Sequence, residues 1–349
     1  MPDVTIAVDA NGADLGPAEV AAGAALAAAE GVRVILFGPA DAIGAVPDGV
    51  TVVDAPISIA KDPDPARAAR STPEASIVRA ARAVAAGEAD ALVSGGSTGA
   101  ALAAGLFNVK RGRGIHRPAL AMVVPVPGHP VTLLDVGANA EVRPEHLVQF
   151  AFMGAALAHT VLGVQRPRVA LLSNGTEATR GTPTILEAHA TLTQRTAGNA
   201  ALEFLGNVEG VDLTTGVADV IVTDGFTGNI ALKTMEGVSQ VLLGAVKDAA
   251  LSSPWAKVGG LLLKPALGGL RAELDPEAHG GAYLLGLRRL GVVPHGRFSR
   301  RGFAQAILLA ARGVEGDLVG ATHAALEAAG ALKAAPRPSS DEATSVSSS

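Results

Sequence analysis

The chain has no cysteine among its 349 residues. That excludes a disulfide framework, a thiolate metal site and a cysteine nucleophile, and it fits a reducing cytoplasm. Aromatic residues make up only 3% of the chain, too few for the stacking platforms that hold single-stranded nucleic acid. Basic residues are scattered and the net charge is −5, so no nucleic-acid partner is expected. No run of about 18 apolar residues occurs, which argues against a membrane span. The opening MPDVTIAVDANGADLGP lacks the basic start and apolar stretch of a secretory leader, so none is expected. Several catalytic signatures are missing as well. There is no P-loop pattern, no GxGxxG after a strand and no HExxH. The eight histidines are dispersed without a close pair along the chain, so no metal is expected. No Ser-His-Asp set stands out.

What is present is a well-buried composition, 48% hydrophobic and 17% charged, in which Ala, Val, Leu and Gly must fill the core. Short apolar runs alternate with alanine-rich helical stretches. The runs are 5–8, 32–37, 91–93, 121–124, 131–134, 169–172 and 220–222, and stretches such as 17–29 and 76–86 separate them. The pattern predicts parallel strands with crossover helices covering both faces, a Rossmann-like α/β fold. One domain is expected over residues 1–334. The polar end APRPSSDEATSVSSS, at 335–349, reads as a disordered tail.

One stretch repeats. GEADALVSGGSTGA (87–100) aligns without a gap on GVADVIVTDGFTGN (216–229), 129 positions later. Gly87, Ala89, Asp90, Val93, Gly96, Thr98 and Gly99 match Gly216, Ala218, Asp219, Val222, Gly225, Thr227 and Gly228. Each copy runs from a strand through glycines and a hydroxyl into a helix start. Helix-start amides are unpaired donors at the positive end of the macrodipole, and glycine lets an anion approach them. Two such loops predict two half-sites facing one cleft; the other reading is a duplicated scaffold turn. Candidate contacts from them are Ser94, Gly95, Gly96, Ser97, Thr98 and Gly99 in the first copy. The second copy offers Asp224, Gly225, Thr227, Gly228 and Asn229. Four further loops follow apolar runs and carry Asp9 and Gly12, Asp135 and Asn139, Glu177 and Arg180, and Asn207. A cleft of amides, hydroxyls, Asn229, Asn139, Glu177 and Arg180 can hold an oxyanion without a metal or a covalent nucleophile. Inorganic phosphate suits it, because phosphate is itself a nucleophile and needs chiefly positioning. Attack on a thioester carbonyl would need amide donors for the tetrahedral oxyanion.

After Leu251 the alternation breaks. The segment 251–272, with Pro254 and Pro265, predicts two short helices broken at Pro265. Trp255, Leu262, Lys257, Lys264 and Arg271 make it a candidate protrusion for a membrane surface or an acidic carrier; an ordinary core helix is the other reading.

The stretches IAVDANGAD, LVSGGSTGA, RPALA, LLDVGAN with PEHLVQFA, GNVEG, DGFTGN, LLLKPAL, GGA and HG carry a resemblance to a known family. Strung over roughly residues 4 to 313, they resemble the bacterial phosphate acyltransferases of the PlsX type. The resemblance implies a three-layer α/β/α sandwich akin to phosphotransacetylases and isocitrate-type dehydrogenases. It implies a homodimer that moves a long acyl chain from acyl-carrier protein to inorganic phosphate, with no cofactor. The acyl phosphate would feed a membrane glycerol-3-phosphate acyltransferase in glycerophospholipid synthesis. The enzyme would be cytoplasmic and peripheral at the inner face of the membrane. Asn229, Arg180 and Glu177 are the catalytic candidates, and His295 joins the substrate contacts. There are departures. Asn11, Ala13, Leu15 and Gly16 replace the usual Met, Gly, His and Ala of the first loop. Arg180 stands for a lysine, RSTPEAS (70–76) has lost a basic stretch, and Arg297 and Phe298 replace small serines. Two rivals stay open, a phosphotransacetylase-like enzyme acting on coenzyme A thioesters and a carrier- or membrane-binding scaffold without catalysis.

Overall fold

The computed structural model describes residues 4–126, 128–273 and 275–333; the expected tail at 335–349 lies outside them. The chain begins β1 (Thr5–Asp9), α1 (Pro17–Ala29), β2 (Arg33–Gly38), α2 (Ala40–Ile43) and β3 (Val50–Asp54). It continues through α3 (Pro65–Ser71), α4 (Ser76–Ala86), β4 (Ala91–Ser94), α5 (Thr98–Ala104), β5 (Ala119–Val124), β6 (Val131–Leu134) and α6 (Pro144–Thr160). Next come β7 (Arg168–Leu172), α7 (Pro183–Thr196), β8 (Glu203–Val208), β9 (Val220–Val222), α8 (Gly225–Leu251) and α9 (Pro254–Glu273). The last elements are β10 (Ala282–Leu285), β11 (Leu290–Val293), α10 (Arg300–Glu315) and α11 (Leu318–Ala328).

Among the described residues all the strands join one 11-stranded sheet, in the order β3-β2-β1-β4-β11-β10-β5-β6-β9-β7-β8. Strand alternation feeds two cores. Ile6, Val8, Val93, Leu134, Val220 and Val222 point into one, with Phe150, Phe152 and Phe303 from the helices. Ala7, Leu92, Leu133 and Ile221 point into the other, with Ile77 and Val78. Burial on both faces explains why the strands read as continuous apolar runs, and it makes the three-layer sandwich the expected one.

The sheet is mostly parallel, but its two parallel blocks run in opposite senses. β4 is parallel to β11, while β10 is antiparallel to both β11 and β5. β5 is then antiparallel to β6, which is parallel to β9. The two copies of the repeated motif therefore leave strands of opposite direction. Those strands are five ladder steps apart, which a twist of roughly 20–25° per step turns further out of line.

The break expected at Pro265 is not there: α9 is one helix from Pro254 to Glu273. Proline removes one backbone hydrogen bond, to the carbonyl four residues earlier. That residue, Leu261, is 69% exposed, so water can satisfy the freed carbonyl. The stretch after α9 forms β10 and β11, central strands that the disrupted alternation hides.

Candidate active site

The first repeat copy is held from below by a buried carboxylate. Asp9, the last residue of β1, accepts hydrogen bonds from Ser76 Oγ at 2.6 Å, Ser94 Oγ at 2.7 Å and the Asn11 amide at 3.2 Å. Burial raises its pKa to about 6, against the pull of these three donors. Ser94 Oγ in turn accepts from the Gly96 amide at 3.3 Å, and Gly12 packs beside Gly96 and Ala60. Ser97 caps α5, its hydroxyl accepting from the Ala100 amide at 3.2 Å. The cap leaves the Thr98 and Gly99 amides without intrahelical partners. Gly95-Gly96-Ser97-Thr98-Gly99 also spells the GxSxG of nucleophile elbows, which sequence reasoning passed over. Its φ of −72° at Ser97 is unlike the strained turn of an elbow, and the Ser97 hydroxyl serves the cap.

The second copy is built differently. Asp224 caps α8, accepting from both the amide and the hydroxyl of Thr227 at 2.8 Å. The helix therefore begins at Gly225, two positions earlier in the motif than α5 does. A carboxylate now occupies the anion-seeking end of the helix. Gly225 and Gly228 press the first turn onto the loop after β6: the Gly225 amide donates to the Asn139 carbonyl at 2.7 Å, and a Cβ on Gly228 would stand 1.9 Å from the Asp135 carbonyl oxygen. Asp135 itself is buried, its carboxylate accepting from the amides of Leu120, Gly137, Ala138 and Asn139 and from Asn139 Nδ2. Burial pushes its pKa up against those donors. Asn139 Nδ2 also reaches the Pro118 carbonyl at 2.8 Å. Asp135, Asn139, Asp224, Gly225, Thr227 and Gly228 are thus consumed in joining α8 to the sheet.

A cavity of about 280 Å³ lies where the two motifs approach across the sheet face. Gly96, Ser97 and Thr98 line it from the first copy, and from the second only Asn229 does. The other walls include Lys233 and Glu236 of α8 and His295 and Gly296 after β11. Lys233 was missed by sequence reasoning, although it stands four residues after Asn229, on the same helix face. Lys233 Nζ pairs with Glu236 at 3.2 Å, and Arg297 approaches the same carboxylate at 4.0 Å. Burial, then Arg297 and Lys233, lower the His295 pKa, while Glu236 and Asp14 oppose them. His295 is therefore neutral near pH 7, and its Nδ1 accepts a long hydrogen bond of 3.5 Å from the Arg297 amide.

Other candidates lie elsewhere. Glu177 and Arg180 do not line the cavity. They pair with each other at 3.5 Å on the loop after β7, both well exposed. Asn207 fixes that loop, donating to the carbonyls of Glu177 and Arg180. Trp255, Leu262, Lys257 and Lys264 are exposed on α9, Trp255 at 87%; the Arg271 side chain lies outside the described residues.

Two histidines that are distant along the chain meet in the fold. His116 and His146 have ring centroids 5.7 Å apart, and with Glu145 they form a group whose ligand atoms lie within 4.8 Å of one another. The folding of α6 against the approach to β5 joins residues 30 apart in sequence. As folded, His146 Nδ1 accepts from the Arg143 amide at 3.2 Å. A neutral ring then carries its proton on Nε2 and has no free lone pair for an ion.

This fold is shared with acyl-group-transferring and other α/β enzymes of known structure. A phosphotransacetylase from Streptococcus pyogenes superposes with a TM-score of 0.59 at 19% identity, covering 90% of this chain and 94% of its own. A branched-chain phosphotransacylase from Enterococcus faecalis V583 gives 0.57 at 18%, covering 89% and 99%. The family model described as "Fatty acid synthesis protein" matches residues 4–319. The phosphate acyltransferase of Latilactobacillus sakei is 45% identical over 304 residues, 85% of this chain and 89% of that protein. That of Geobacillus thermodenitrificans is 42% identical over 330 residues, covering 93% and 99%. The chain belongs to the phosphate acyltransferase family, and it is an acyltransferase.

Proposed function

We infer that the protein transfers a long-chain acyl group from acyl-carrier protein to inorganic phosphate, making acyl phosphate for glycerophospholipid synthesis. The observation that carries the reading is the shared cavity. It combines the hydroxyls and free amides at the start of α5 with the Asn229 amide, the Lys233 ammonium and the neutral His295. Phosphate rests on Ser97, Thr98 and the α5 amides, with Lys233 as its cation. A phosphate oxygen attacks the thioester carbonyl carbon, and Asn229 donates to the oxyanion that develops. The intermediate collapses with loss of the carrier's thiolate, which takes up a proton from the medium or the site. No cofactor enters the step. Asp9 and Ser94 hold the first loop in place, while Glu177 and Arg180 remain a flanking pair outside the cavity.

Purified protein, acyl-carrier thioester and phosphate should yield acyl phosphate, trapped as the hydroxamate. Equal or better turnover with the coenzyme A thioester would favour the phosphotransacetylase-like alternative, and no product with either would leave only a scaffold role.

The exposed apolar tip Leu261–Leu263 with Trp255, flanked by Lys257 and Lys264, supports contact with a membrane surface or the acidic carrier. Among the described residues no helix is long and apolar enough to cross a membrane, which is compatible with peripheral attachment at the inner face, where the downstream acyltransferase would sit. Val238, Val241, Leu242 and Val246 form an exposed apolar stripe on α8, and a homodimer would cover it.

A further inference from the structure

A second cavity, about 390 Å³, lies beside the first. The two share Met122, Leu232, Glu236 and Pro276 in their walls. From that junction the second runs along α8, between the helix and the end of β5. Its apolar walls include Met122, Val124, Leu232, Met235 and Leu243, with Ser239 midway. Leu232, Met235, Ser239 and Leu243 fall at helical spacing on one face, so the groove follows the helix axis.

Two carboxylates also line it, and both are neutralised. Glu236 is paired with Lys233 and Arg297. Asp275 is paired with Arg301 at 3.1 Å and caps the Glu277 amide at 3.1 Å. An apolar occupant therefore meets no bare charge.

We propose that this groove holds the acyl chain of the thioester, and that α8 residues from Ser239 to Leu243 set the longest chain accepted. The proposal rests on the acyl-transfer reading above. A thioester carbonyl beside Asn229 has its chain directed past Leu232 and the other shared wall residues into the second cavity. Leu232 to Leu243 spans about 16 Å at the helical rise. An extended chain gains roughly 1.2 Å per bond, from the reach of an extended backbone, so the groove accommodates roughly thirteen bonds. Ser239 stands about 10 Å from Leu232, roughly eight bonds in.

The test compares carrier thioesters of six and fourteen carbons. Ser239→Phe should lower kcat/KM for the fourteen-carbon donor at least tenfold more than for the six-carbon donor, with the phosphate KM unchanged. Ser239→Ala should keep the wild-type ratio. If Ser239→Phe does not fold by circular dichroism, Leu243→Trp asks the same question deeper in the groove, using donors of ten and sixteen carbons. An equal loss at both lengths overturns the proposal. So does a change of oligomeric state with no change in length profile, since a second copy of the chain would then occupy the groove. Wild-type protein that turns over neither donor would instead sink the acyl-transfer reading itself.

Discussion

The starts of α5 and α8 carry the same motif and do different work. In α5 a neutral serine caps the helix, and the glycine pair before it stays outside, so open amides face a cavity. In α8 an aspartate caps two positions earlier, and the glycines are inside the helix, pressed against the backbone of the Asp135–Asn139 loop. The first is arranged for a ligand. The second is arranged for docking, and it reaches the cavity wall only one and two turns further on, through Asn229 and Lys233. Shared letters set the strand-loop-helix geometry, while one cap residue decides whether the amides remain available.

The sharpest way to break this comparison is Asn229→Ala. Because Asp224 already caps α8, Asn229 has no capping role left, and its loss should appear in catalysis. Turnover should fall by about 10²- to 10³-fold, the usual cost of one oxyanion donor, with little change in melting temperature. A normal rate with a lowered melting point would place Asn229 with the docking residues.

The next contrast sets Gly228→Ala against Gly99→Ala. The first puts a methyl into the backbone carbonyl of Asp135, whereas the second meets the Pro65 ring at 2.8 Å, which can shift. Urea denaturation should show a loss of about 3 kcal/mol for Gly228→Ala and about 1 kcal/mol for Gly99→Ala. Similar losses would remove the distinction between a docking glycine and a loop glycine.

The carboxylate under the first loop gives a pH signature. Burial lifts the Asp9 pKa from the ordinary 3.8 to about 6 in the folded chain, so the folded state holds its proton more tightly than the unfolded state. Its stabilising contribution is complete below about pH 4 and disappears as pH rises through 6, amounting to about 3 kcal/mol at most. Asp9→Asn should flatten the stability profile between those values; an unchanged slope in thermal melts would assign it to other groups.

The smallest effect separates the two cations. Lys233→Ala should raise the phosphate KM about tenfold, the scale of one charge-assisted hydrogen bond, with a lesser change in kcat. Arg180→Ala, outside the cavity and paired with Glu177, should move it much less. The reverse order in phosphate-dependent kinetics would return the cationic role to the loop after β7.

Much of this was legible in the sequence. The apolar runs located seven of the strands, because strands buried on both faces must be uniformly apolar. Helices follow them because parallel neighbours need crossovers. The glycine-hydroxyl strings marked both helix starts, and the approach to Asn229 was visible as the one amide that its sister copy, Ala100, lacks. Lys233 escaped because the aligned repeat ends at Asn229, one helical turn before it. Asp135 and Asn139 looked like ligand contacts because a polar loop after a strand has the same composition whether it faces a substrate or bonds to itself.

By itself the sequence determined the layered α/β architecture, the family and the two helix starts, since these rest on local periodicity, on motif strings and on residue types near one another in the chain. The tertiary structure decided which of those residues share a cavity. β10 and β5 enter the middle of the sheet antiparallel to their neighbours, so the two motifs leave strands of opposite direction instead of one common edge. Only helical rise across the sheet face then brings Asn229 and Lys233 opposite Ser97 and Thr98, and no local pattern encodes the direction in which a distant strand is paired.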